Sequence, residues 1–224
     1  MNSTALLSLV FAAIAAPAFA APQPSYTTSR DGRKVIVEGA PAAGVAMRIE
    51  ESAATTIYSN LATKYKKGIY FSGEGATLCG PGCTIPGESW IAAGFTPTAD
   101  ATAMSIRAGV GIISGPDSIT LAIYTDKGGI PGKELWSGVA KNLPAFGTCC
   151  ALAHVNISGG LALKGGTPYW LVAETDQKEA DTFGAWSPAE VDQVDPAPVS
   201  YNLSGNGWRS DTETTPPSFG IFSK

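Results

Sequence analysis

Gly165-Gly166-Thr167-Pro168-Tyr169-Trp170-Leu171-Val172-Ala173-Glu174 decides the fold: a Gly/Pro turn runs into an apolar, aromatic and β-branched segment with no helical spacing. Consecutive apolar residues in an extended chain point to alternate faces, so the segment predicts a central β-strand buried on both sides. Pro168 stands at its start, where a missing N–H removes no ladder hydrogen bond. The rest of the chain must supply strands to pair with this one and a second sheet to cover it.

Composition agrees. Gly 26 and Pro 16, against only 15% charged residues, describe short strands and tight turns rather than helices with Glu/Lys/Arg surfaces. The net charge of −4 and the lack of any basic cluster exclude nucleic acid as a partner. At the N-terminus an apolar run from Ala5 to Ala16 is followed by Pro17 and the small-x-small tripeptide Ala18-Phe19-Ala20. This predicts a signal peptide cut before Ala21, although no Lys or Arg precedes the run. The run falls short of the roughly 20 apolar residues of a membrane span, so a secreted or periplasmic protein with no membrane span after cleavage is expected. The predicted organisation is signal peptide 1–20, N-terminal extension and linker 21–54, and one β-sandwich domain over 55–224.

Four cysteines, Cys79, Cys83, Cys149 and Cys150, are an even number in an exported chain and imply disulfides. The Gly-Pro-Gly between Cys79 and Cys83 brings the ends of that loop together, and Cys149-Cys150 can close a vicinal ring, so two local bridges are favoured. Two long bridges joining the 79–83 loop to the 149–150 pair are the alternative, since they remove more unfolded-state entropy. Zinc is disfavoured: the paired two-residue spacings are missing and His154 is the sole histidine.

Working outward, Tyr26 to Glu38 places Asp31-Gly32 between two β-prone halves, the signature of an edge hairpin with a two-residue turn. Gly39 to Gly44 reads as a linker, and Val45 to Glu50 as a strand or a helical turn. Strands are predicted at Thr56–Leu61, Gly68–Ser72, Glu88–Phe95, Ala101–Gly111, Ser118–Thr125, Glu134–Val139, Cys150–Ile157, Pro168–Glu174, Thr182–Trp186, Val199–Leu203 and Ser218–Phe222. Their spacing of roughly 8–12 residues, without amphipathic helices between them, predicts an all-β fold. The expected architecture is an antiparallel β-sandwich of jelly-roll type with an N-terminal β-hairpin extension.

Several stretches together resemble the choice-of-anchor family of exported bacterial β-sandwich domains. They are Ile57-Tyr58-Ser59-Asn60-Leu61, Ala93-Gly94-Phe95-Thr96-Pro97, Ser105-Ile106-Arg107, Leu121 to Gly132, Phe146-Gly147-Thr148-Cys149-Cys150 and Gly166 to Val172. The resemblance runs from about Ile57 to the C-terminus and implies a fold, not a catalytic set. Family members carry C-terminal sorting signals, whereas Pro216 to Lys224 has no apolar anchor and no basic tail. Free release or periplasmic retention is the resulting expectation.

Catalytic signatures are missing: there is no Gly-x-Ser-x-Gly elbow and no His-Glu-x-x-His. Alternation puts His154 with Leu152 and Asn156 on the more polar face of its strand, where a solitary histidine is structural. Glu174 to Asp181, followed by Glu190, Asp192 and Asp195, is the densest acidic stretch. Asp176, Glu179 and Asp181 offer oxygen ligands to calcium, although their spacing matches no EF-hand, and a solvated loop is the plainer reading. No other cofactor is expected. Of the five tryptophans, Trp90 and Trp170 lie in strands and read as packing, as does Trp136 by default. Trp186 and Trp208 flank loops; with Glu174 and Asp176 they form the candidate ligand-binding set, indoles stacking on sugar rings while carboxylates receive hydroxyl protons, although packing in the core is the plainer reading of each indole.

The expected function is therefore an exported non-catalytic module that binds extracellular polysaccharide or a surface protein. A secreted glycan hydrolase is the rival, needing two carboxylates among Glu74, Glu88, Glu174, Asp176 and Asp181 about 5–10 Å apart across a cleft. A structural matrix component with no small ligand is the third reading.

Overall fold

The computed structural model describes residues 25–38, 55–61, 73–84, 87–148, 152–175, 180–189, 199–203, 205–211 and 215–223. The secondary structure there is all β: β1 (Ser25–Thr28), β2 (Lys34–Glu38), β3 (Thr56–Ser59), β4 (Glu74–Cys79), β5 (Ser89–Phe95), β6 (Ala101–Ala108), β7 (Val110–Ser114), β8 (Ile119–Asp126), β9 (Pro131–Ala140), β10 (Ala153–Leu163), β11 (Tyr169–Glu174), β12 (Phe183–Trp186), β13 (Val199–Leu203), β14 (Trp208–Asp211) and β15 (Phe219–Phe222). Every pairing between these strands is antiparallel.

The strand that opened the reading is central. β11 pairs with β5 on one side and β8 on the other, and its residues from Tyr169 to Ala173 are all buried. Tyr169, Leu171 and Ala173 face the main core, while Trp170 and Val172 belong to a separate cluster on the opposite face. The larger sheet has two wings. One runs β14-β13-β5-β11-β8-β9, the other β1-β2-β4-β12-β7, and they join where Cys79 pairs with Ser89. The smaller sheet, β10-β6-β15-β3, supplies Ala103, Ile106, Ala153, Val155, Ile157, Phe219 and Ile221 to the shared core. Two antiparallel sheets that bury a shared apolar core between them make a β-sandwich.

One predicted strand, Ala101–Gly111, is two. β6 lies in the smaller sheet and β7 in the larger, with the change of sheet at Gly109. Gly109 N–H donates to the Ser218 carbonyl at 3.0 Å, and its own carbonyl accepts from Ser187 N–H at 2.9 Å, so the corner loses no backbone hydrogen bond. The N-terminal hairpin forms, but its turn is longer than a two-residue loop. Ser29 N–H donates to the Lys34 carbonyl (2.9 Å) and Gly32 N–H to the Ser29 carbonyl (2.8 Å), with Gly32 at φ 70°. Asp31 shapes this wider turn by accepting from Ser29 Oγ (2.6 Å) and Arg33 N–H (3.1 Å).

β2 pairs with β4, and Val35 and Val37 bury against Phe146 and Ala185, so the hairpin is built into the larger sheet. Tyr26 OH donates to the Phe146 carbonyl at 2.7 Å, and Arg33 meets Asp211 on β14 at 3.4 Å. β4 and β14 have no counterpart among the predicted strands. β10 begins at Ala153 and continues past the predicted end at Ile157 to Leu163, through a bulge between Asn156 and Leu161. The predicted strand at 68–72, the segment 39–54 and the predicted signal peptide at 1–20 lie outside the described residues.

Candidate binding face on the larger sheet

The outward side of the β14-to-β9 wing is laid out by register. One row holds Asn202 and Trp90 on neighbouring strands, then Glu174, Thr120 and Val139. The next is made of small residues, Ser200, Ala92, Val172, Ala122 and Ser137. The third holds Gly94, Trp170, Tyr124 and Glu134. Small side chains in the middle row leave room for large rings above them: Trp170 is buried with Ala92, Ala122 and Val172, and Tyr124 and Trp208 pack against that cluster half-buried.

Polar groups gather over this aromatic floor. Ser137 Oγ donates to Glu134 Oε1 at 2.7 Å and Tyr124 OH reaches Glu134 Oε2 at 3.5 Å, which fixes that carboxylate on the face. Glu174 is pushed from its ordinary 4.5 up to about 7, first by burial and then by the negative charge of Glu134. The Tyr124 phenol is also raised, by burial and then by the charges of Glu174 and Glu134. Trp170 Nε1–H donates to Asp126 Oδ1 at 2.8 Å, and Asp126 in turn accepts from Gly129 N–H, so the indole is locked to the β8–β9 turn. Trp90 Nε1–H is buried and meets no acceptor among the described residues. Near neutral pH, then, one surface presents a fixed carboxylate, a carboxyl poised between its two protonation states, a phenol and the half-buried indole of Trp208.

Of the residues expected to bind ligand, Glu174 and Trp208 lie on this face. Trp186 does not: it is fully buried, its Nε1–H donates to the Ser218 carbonyl at 2.8 Å, and it packs edge-on against Phe219. An indole with no exposed face and a satisfied N–H cannot stack on a sugar, which corrects the reading of Trp186 as a surface residue. Asp176 and Glu179 lie outside the described residues; Asp181 is exposed beside Gly82. Among the described residues no cluster of three metal-ligating side chains occurs. Glu74 lines a separate cleft of about 10 Å³ with Lys34, Trp186 and Thr215.

The carboxylate that couples to Glu174 is Glu134, which sequence reading passed over. Counting back from the Lys127-Gly128-Gly129-Ile130 turn sets Glu134 against Tyr124, a register obscured by the bulges in β9. His154 is exposed opposite Arg107 on the smaller sheet, with its imidazole held below its usual range by partial burial and then by that guanidinium.

The Cys79–Cys83 bridge is present, with Cα atoms 6.0 Å apart. Cys149 and Cys150 lie outside the described residues. No described helix is long and apolar enough to cross a membrane. Comparisons with protein-family models, with curated proteins and with solved structures found no match.

Proposed function

We propose that this chain is an exported, non-catalytic β-sandwich module that binds extracellular polysaccharide on the outward face of the β14-to-β9 wing. The observation that carries the reading is the convergence of Glu134, Glu174 and Tyr124 on the sheet face that also carries the half-buried indole of Trp208. Sugar recognition needs an apolar plane against the C–H face of a pyranose and oxygens that exchange hydrogen bonds with its hydroxyls. Both kinds of group share this sheet face. Export, to the outside or to the periplasm, rests on the signal-type N-terminus and on a disulfide, which persists in oxidising compartments.

A glycan array probed with purified Ala21–Lys224 tests the reading, with Trp208→Ala and Glu134→Gln as controls. Binding to a defined polysaccharide class that both substitutions weaken supports it; binding indifferent to both contradicts it. Running the array with calcium and with a chelator tests Asp176, Glu179 and Asp181 as cation ligands, since chelator-sensitive binding is expected only if they hold calcium.

The coupling of Glu174 to Glu134 favours one second reading, a glycan hydrolase in which Glu174 acts as general acid and Glu134 as base or nucleophile. A carboxyl titrating near neutrality beside a second carboxylate is the pairing that chemistry uses. Reducing-sugar release from the polysaccharide that binds, abolished by Glu174→Gln with binding retained, would establish the enzyme. Binding without release supports the module.

A further inference from the structure

The end of β11 that carries Glu174 is tied to the disulfide loop by contacts that the proposed binding chemistry does not use. Thr175, the next residue, is buried and its hydroxyl donates to the Cys79 carbonyl at 3.3 Å. Cys79 pairs with Ser89, the neighbour of Trp90, and Ser89 Oγ donates to the Thr77 carbonyl at 3.1 Å. On the other side of the loop, Gly80 N–H donates to the Thr182 carbonyl and Gly82 N–H to the Ala180 carbonyl, each at 2.8 Å. Gly82 sits so close that a Cβ there would meet the Ala180 carbonyl oxygen at 2.8 Å and Asp181 Oδ1 at 3.0 Å. The loop closed by Cys79 and Cys83 therefore holds Thr175 and the 180–182 strand approach at once, and with them both ends of the acidic segment that follows Glu174. Cys79 is fully buried, whereas Cys83 is half-buried and is the more accessible residue of the pair.

We infer that the Cys79–Cys83 bridge is a redox latch that regulates the Glu174 face, fixing the end of β11 when oxidised and releasing it when reduced. The inference rests on the binding reading for what is regulated, but not for the latch itself. The chemistry is thiol–disulfide exchange with a dithiol reductant. One thiolate of the reductant attacks Cys83 Sγ and expels the Cys79 thiolate. Its second thiol then displaces Cys83, so the reductant leaves as a disulfide while two electrons and two protons pass to Cys79 and Cys83. With the bridge open, the five-residue loop Cys79-Gly80-Pro81-Gly82-Cys83 regains its chain freedom, the end of β4 that carries the acceptor for Thr175 Oγ1 keeps only its strand pairing, the Gly80 and Gly82 donors to Thr182 and Ala180 lose their covalent tie, and Glu174 gains solvent.

Three measurements test this on the full mature chain. Native incubation with dithiothreitol, then alkylation and peptide mapping, is expected to label Cys79 and Cys83 while the fold persists. A bridge that survives until the chain unfolds overturns the latch. The Cys79→Ala/Cys83→Ala double variant, which leaves Cys149 and Cys150 untouched, is compared with wild type by carbon-detected NMR titration of the Glu174 side-chain carboxyl. The Glu174 midpoint is expected to fall from near 7 toward the ordinary carboxylate range. Glu134 and Tyr124, which face Glu174, remain in place in every form compared.

Thr175→Val removes the hydroxyl link with little change in volume, so it carries the test if the double variant fails to fold, and a fall in the same direction is expected. An unchanged midpoint in a folded variant overturns the inference. If wild type binds no glycan at all, the binding reading fails while the titration still decides the latch.

Discussion

Replacing Trp186 by Phe separates a core indole from a surface one. Trp186 is fully buried: its relative exposure is 0%, its ring lies 6.1 Å from that of Phe219, and its N–H donates to the Ser218 carbonyl at 2.8 Å. That carbonyl also accepts from Gly109 N–H at 3.0 Å, so Trp186→Phe leaves no orphaned acceptor and the loss is that of one buried hydrogen bond, about 1 kcal/mol. The smaller ring leaves roughly 40 Å³ unfilled, and at about 24 cal/mol per Å³ this adds about 1 kcal/mol. Lost transfer free energy of the missing ring atoms brings the total to about 2–3 kcal/mol. Trp186→Ala is expected to cost about 3–5 kcal/mol. Urea unfolding followed by far-UV circular dichroism measures both, with the midpoint shifted and the m-value preserved. A Trp186→Phe protein within about 0.5 kcal/mol of wild type, the usual range for surface changes, would refute the placement of this side chain in the core.

Other expectations follow from single contacts. Gly75→Ala puts a Cβ 2.5 Å from Phe146 Cζ and 3.1 Å from Ala185 Cβ, between packed layers, and is expected to cost about 1–3 kcal/mol in the same assay. Glu174 titrates at about 7 when folded and at its ordinary 4.5 when unfolded, so between those values the folded state binds more protons and stability falls as pH rises. Glu174→Gln should flatten that slope and leave the protein more stable than wild type at pH 8; an unchanged slope would show that Glu174 is not perturbed. Opening the 79–83 loop with Cys79→Ala/Cys83→Ala removes a short closure worth about 2 kcal/mol, read as a lower urea midpoint.

Strands whose two faces differ in polarity were legible in the sequence. Ile119 to Asp126 and Ala153 to Ile157 alternate, and the structure buries the apolar set of each in the main core. The continuous apolar run of β11 announced a strand covered on both faces, as found. β4 was missed because burial on both sides erases alternation, and Glu74-Gly75-Ala76-Thr77 has too little side chain to declare itself apolar. β14 was missed for the opposite reason: Trp208-Arg209-Ser210-Asp211 is polar, and only pairing with β13 makes it a strand. Local pattern also cannot show a strand changing sheets, as at Gly109.

The candidate face was legible only in pieces. Glu174 and Trp208 stood out, as a carboxylate ending an apolar strand and as an indole beside a turn. Glu134 and Tyr124 did not, since their meeting depends on a cross-strand register shifted by bulges in β9. Trp186 was misplaced because Gly184 and Pro188 around it suggested a loop. The nearby Ser218 carbonyl, which satisfies its N–H inside the core, comes from a segment far away in sequence.

The most direct test of the binding face is isothermal titration of Ala21–Lys224 with the polysaccharide fragment that the array selects, comparing wild type with Trp208→Ala and Tyr124→Phe. Trp208→Ala removes a stacking plane, and a loss of about 10-fold or more in affinity is expected from the roughly 1–2 kcal/mol that such a contact contributes. Tyr124→Phe removes the hydroxyl that reaches Glu134 while keeping the ring over the small-residue row, and a smaller loss, on the order of 3–10-fold, is expected. Affinity unchanged in both variants, with their folds intact, would place any binding elsewhere and contradict the account.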